Sequence, residues 1–150
     1  MKYADATVGE VQTAGAYTVT ADEIVEFAEQ YDPQPFHVDP DAAADSPFGS
    51  LIASGWHTGA ITMRLLVTGI FGPEGSLGSP GVESLRWPNP LLPGESISIE
   101  TEVTDKRPLE SDPSRGLLET HTRTHTGDDK TVMEMDSIVF VERDTDDMDE

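Results

Sequence analysis

The stretch Tyr31-Asp32-Pro33-Gln34-Pro35-Phe36-His37 sets a carboxylate and an imidazole on a short path stiffened by two prolines. Converging on one water, the two groups can take its proton and return it elsewhere, which is general acid–base chemistry. Asp32 follows a helical pattern, so it stands where the helix macrodipole is negative, and its pKa is expected to rise there. The second candidate is Ser54-Gly55-Trp56-His57. If Ser54 caps the helix that follows, the N–H groups of Gly55 and Trp56 are unpaired at its positive end. They can hold an anion or polarise a carbonyl oxygen, and glycine allows close approach. The residues by themselves leave plainer readings open: a proline-rich connector with polar surface side chains, and a capped helix whose first residue is small for packing.

Other polar groups carry less. His57, one turn into an apolar helix, reads as a hydrogen-bonded core histidine. His121 and His125 share a strand face with Arg123 between them, and an intervening cation argues against a metal site. The glycines between 69 and 81 follow no strand and carry no Lys-Ser/Thr, so they are no phosphate loop. Arg64, Arg86, Lys106 and Arg107 are the cations available to neutralise a phosphorylated ligand.

The elements that must position these groups follow from pattern. A strand is expected at 16–19. Thr20-Ala21-Asp22-Glu23 reads as a capping box, with Thr20 accepting the Glu23 N–H and the Glu23 side chain reaching back. The helix it opens carries Ile24, Phe27, Ala28 and Tyr31 on one stripe and should stop at Tyr31, since Pro33 disfavours the α conformation at Asp32. A short helix with Pro40 in its first turn follows. Beyond Ser54, Trp56, Ala60, Met63, Val67 and Ile70 recur at helical spacing while Ile61, Leu65 and Leu66 fill other faces. A helix apolar nearly all round is expected to be enclosed on most sides, with Met63 in the core. Strands are expected at 81–87, 96–106, 117–126 and 131–141, the last two joined through Gly127-Asp128-Asp129. The economical way to enclose the helix is to curl this antiparallel sheet around it, an α+β arrangement of hot-dog type. One domain over 1–143 and an acidic, frayed tail at 144–150 are expected.

Composition bounds the function. With 29 acidic and 9 basic residues the net charge is −20, which repels nucleic acid and anionic membrane. An acid-rich, lysine-poor surface suits a high-salt cytoplasm, where screening removes self-repulsion. There is no cysteine, so thiolate metal sites and disulfides are excluded. The stretch 51–71 holds too many polar residues for a membrane span, and no signal peptide is visible, so a cytoplasmic location is expected.

The segment 31–37, with Asp39 two residues on, resembles the signature of MaoC-like dehydratases and (R)-specific enoyl-CoA hydratases, in which an Asp precedes Asn-Pro-aliphatic-His at this spacing. Phe48-Gly49-Ser50-Leu51-Ile52-Ala53-Ser54-Gly55-Trp56-His57-Thr58 resembles that family's approach to its central helix. Pro80-Gly81-Val82-Glu83-Ser84-Leu85-Arg86-Trp87, with Pro90 and Pro93-Gly94-Glu95, resembles its next strand and turn. The resemblance implies a hot-dog fold, a homodimer, and reversible syn hydration of a trans-2-enoyl-CoA thioester. No cofactor is implied beyond the CoA of the substrate, and no metal. On matching positions, Asp32 and His37 hold the water, and Gly55 offers its N–H to the thioester oxygen. Ser54 and Trp56 are expected to border the substrate. Gln34 and Phe36 depart from the usual asparagine and aliphatic residue, and Thr62 or Met63 stands where some members place a serine. Two alternatives remain: a non-catalytic acyl-CoA-binding protein, and a hot-dog thioesterase, which usually needs an acid on the central helix.

Overall fold

Strands β1 (Val11–Thr18) and β2 (Gly81–Arg86) occupy opposite edges of a five-stranded sheet, although no other strand separates them in sequence. In the computed structural model, which describes residues 1–144, the order is β1-β3-β4-β5-β2 and every neighbouring pair is antiparallel. β3 (Ser96–Pro108), β4 (Arg115–Thr126) and β5 (Thr131–Glu142) are the long central strands. Because the flanking strands sit at opposite edges, the intervening chain must cross the whole concave face. It does so as α1 (Ala21–Tyr31), α2 (Pro35–Val38), α3 (Pro40–Ala44) and α4 (Gly55–Leu66), the last continuing into a π-helical turn, Val67–Phe71. This is the expected α+β hot-dog arrangement, a sheet wrapped on a central helix.

Alternation along the strands explains the core. Ile97, Ile99, Thr101 and Val103 of β3 are buried, as are Leu118, Thr120, Thr122, Thr124 and Thr126 of β4. So many buried hydroxyls are tolerated because they pair. Thr124 meets Thr62 of α4 at 2.7 Å, Thr120 meets Ser137 at 2.8 Å, and Thr101 meets Thr122.

Three expectations need correction. β1 starts at Val11 rather than 16; it is an edge strand whose half-buried positions, Gln12, Ala14 and Tyr17, are not uniformly apolar and so give no hydrophobic alternation in the sequence. Glu23 does not close the capping box: Thr20 accepts its N–H at 3.2 Å, but the carboxylate binds Tyr17 and His57 instead. The central helix is enclosed on one face rather than on most sides: His57, Thr58, Ile61, Thr62, Leu65 and Leu66 form its buried face. Trp56, Met63 and Val67 are 60%, 49% and 44% exposed on the opposite side. Helical spacing correctly grouped these residues; it could not say which face meets the sheet.

No helix among the described residues is long and apolar enough to cross a membrane. The expected tail lies outside the described residues except for Asp144, which pairs with Lys2 at 3.6 Å. Arg143, just before it, donates its backbone N–H to the Ser114 carbonyl at 2.8 Å.

Candidate active site

Asp32 leaves α1 as its C-cap, its N–H still bonded to the Ala28 carbonyl while its own φ of −156° breaks the helix. Pro33 follows, and the Gln34 N–H closes back onto the Asp32 carbonyl at 2.8 Å. Pro35 then starts the single turn of α2, which carries His37 into the interior. The two prolines therefore make a tight reversal, and it brings Asp32 Oδ2 to 3.3 Å from His37 Nε2.

The other ring nitrogen settles the histidine's orientation. His37 Nδ1 lies 2.7 Å from the Ile52 carbonyl oxygen, which can only accept, so Nδ1 carries the proton and donates. In the neutral ring Nε2 is then a lone pair facing the carboxylate and the cavity. Ile52 is itself pinned: its N–H donates to the Phe36 carbonyl at 3.2 Å, and the next N–H, of Ala53, to the Leu91 carbonyl at 2.9 Å.

Ser54 caps α4, its hydroxyl accepting the Trp56 N–H at 3.3 Å. It also donates to Asp32 Oδ2 at 2.7 Å, and Gln34 Nε2 donates to Asp32 Oδ1 at 2.7 Å. The expected rise in the Asp32 pKa is therefore overturned. Burial pushes the carboxyl up, but the donors Gln34 and Ser54, with His37 nearby, outweigh it and leave it below the usual carboxylate value. Side-chain donors aimed at the oxygens act more strongly than the end of a helix dipole.

Asp32, His37, Gly55, Trp56, Trp87 and Leu91 line a cavity of about 440 Å³. Of the two N–H groups expected free at the start of α4, that of Trp56 is taken by Ser54. The Gly55 N–H makes no hydrogen bond among the described residues. Gly55 is also required by packing, since a Cβ there would sit 2.5 Å from the Trp87 indole. Trp56 lines the cavity, its ring set edge-on to Trp87 at 5.1 Å. Ser54, expected against the substrate, is instead fully buried behind the wall.

The remaining candidates separate. His57 is buried, stacked on Phe27 at 4.6 Å, and bonded through Nε2 to Glu23 at 2.8 Å; Glu23 in turn accepts the Tyr17 hydroxyl at 2.7 Å. This network and Arg64 line a second, more open cleft of about 390 Å³ beyond α1. His121 binds Asp136 at 2.7 Å on the outer sheet face. Lys106 is committed to the Tyr3 and Ala6 carbonyls and Arg107 to Asp105, whereas Arg64 and Arg86 make no side-chain hydrogen bond or ion pair among the described residues. Thr62 points at the sheet and Met63 at solvent, so neither stands in for a serine at the site. Sequence reasoning missed the partners Gln34, Ser54, Ile52 and Trp87. Only Gln34, next to the motif, had a visible signal there: an amide donor two residues from the carboxylate.

The chain is similar to several known proteins. A solved MaoC-like dehydratase from Rhodospirillum rubrum is 41% identical, with a TM-score of 0.89 over 96% of this chain and 98% of that one. An (R)-hydratase from A. caviae involved in PHA biosynthesis is 25% identical, with a TM-score of 0.71 over 89% of this chain and 95% of its own. The Bacillus subtilis protein YdeM is 29% identical across 95% of this chain and its own full length. The family model for the MaoC like domain matches residues 4–124, a span that includes the Asp32–His37 reversal, the start of the central helix and most of the sheet. By that match, the chain belongs to the MaoC-like domain family.

Proposed function

We propose that the protein is a hydro-lyase that adds water reversibly, and syn, to a trans-2-enoyl thioester, acting on acyl-CoA substrates. The observation that carries this reading is the 3.3 Å approach of Asp32 to a His37 whose free lone pair faces the cavity. A water bound between them donates one proton to His37 Nε2 and a hydrogen bond to the carboxylate. Its oxygen attacks the β-carbon, and the double-bond electrons move onto the thioester oxygen, where the Gly55 N–H stabilises the enolate. The imidazolium then returns its proton to the α-carbon on the same face, restoring the neutral ring. Asp32 stays ionised throughout, orienting the water and stabilising the imidazolium. Atoms and charge balance with water alone, so the reaction consumes no cofactor.

A homodimer belongs to this proposal. Among the described residues the outer edge of β2 is unpaired, and Trp56, Met63, Val67, Val82 and Trp87 are exposed beside the cavity mouth and along α4. Pairing two copies covers edge and apolar surface together. The thioesterase reading lacks support, because α4 carries no acidic residue. The test is a spectrophotometric screen of enoyl-CoA substrates of varied chain length in high salt, with light scattering on the same sample. Loss of the conjugated absorbance and at least twice the monomer mass are expected. Failure to hydrate any enoyl thioester would refute the activity.

A further inference from the structure

Both oxygens of Asp32 are engaged before any substrate arrives. Oδ1 accepts from Gln34 and Oδ2 from Ser54, each at 2.7 Å. Gln34 is exposed and close in sequence, whereas Ser54 is fully buried and belongs to another element. Its hydroxyl accepts from the Trp56 N–H and has one proton to give, which goes to the carboxylate. One side chain thus ties the end of α1, which carries the carboxylate, to the start of α4, which carries the Gly55 N–H.

Resting on the hydration reading, we infer that Ser54 is a positioning residue: it fixes the Asp32 carboxylate relative to the Gly55 N–H, and so the water relative to the thioester oxygen. The fixed distance matters because water and carbonyl must be presented to one substrate together, and a shift of about 1 Å in such a constellation costs up to roughly 100-fold in rate. The same bond favours the ionised carboxylate. Among the described residues that line the cavity, His37 is the only other titratable group.

The variants are Ser54→Gly, which removes the donor while glycine still serves as a helix cap, and Ser54→Cys, close in size but a weaker donor. Two readouts are needed. Without substrate, the carboxyl carbon of Asp32, assigned by comparison with Asp32→Asn, is titrated by carbon-13 NMR. It should titrate higher in Ser54→Gly than in the parent and in between in Ser54→Cys. With substrate, kcat should fall about 10- to 100-fold in Ser54→Gly with KM within about twofold. An Asp32 titration unchanged in both variants, in a parent that hydrates enoyl thioesters, would overturn this inference and leave the hydration reading intact. A shifted titration in a protein that hydrates nothing would defeat the hydration reading instead, leaving Ser54 as the group that holds the carboxylate.

Discussion

Replacing Asp32 by asparagine keeps the shape of the side chain and one oxygen for the donors, and removes the charge and the second acceptor. That charge lies 3.3 Å from the nitrogen that becomes positive as the water is split. Two unit charges at this separation interact by about 5 kcal/mol at an effective dielectric constant of about 20. The Asp32 side chain retains 18% exposure, so solvent screens part of this. Roughly 3 to 4 kcal/mol should survive, which lowers kcat by two to three orders of magnitude. The assay is hydration of the best enoyl-CoA substrate, followed by the conjugated absorbance, with circular dichroism to confirm the fold. His37→Ala, which removes the proton carrier itself, should cost at least as much. Because the pair acts on one water, the double variant should be little worse than the more damaging single one. An Asp32→Asn enzyme that keeps a third or more of parent turnover would refute the electrostatic role.

Four further outcomes follow from the same geometry. Thr62→Val orphans the buried Thr124 hydroxyl and should cost about 1 to 3 kcal/mol by denaturant titration, whereas Thr62→Val with Thr124→Val should fall within about 1 kcal/mol of the parent. Gly55→Ala drives a methyl into the Trp87 ring and should destabilise by about 1 to 3 kcal/mol with a shift in tryptophan fluorescence; unchanged stability and emission would contradict that contact. Asp32 binds protons less readily folded than unfolded, so it contributes stability above the ordinary carboxylate pKa that is lost as pH falls through its lower folded value. Asp32→Asn should therefore flatten the acid limb of a stability–pH curve, and an unchanged limb would count against the two donors. With net charge −20, the melting temperature should rise steeply from dilute buffer to molar KCl, and a flat response would defeat the salt-adapted reading of the surface.

The amino-acid order determined what depends on neighbours along the chain. Thr20 and Ser54 cap helices because a hydroxyl reaches an N–H two or three residues on, α1 ends where Pro33 forbids its continuation, and alternation in β3 to β5 marks an inward face. Asp32 and His37 stood out for the same reason: two prolines leave the chain between them little freedom. Tertiary structure decided what depends on groups distant in sequence. The carboxylate's low proton affinity draws on Ser54, 22 residues away, as well as on Gln34 beside it. The tautomer of His37 came from a carbonyl at Ile52, and Glu23 left its local cap for Tyr17 and His57. Which side of α4 faces the sheet was equally undetermined, because apolar residues ring the helix and periodicity groups them without ranking the groups. A short hydrogen bond made across the fold outweighs a weak local preference, and local order does not announce such bonds.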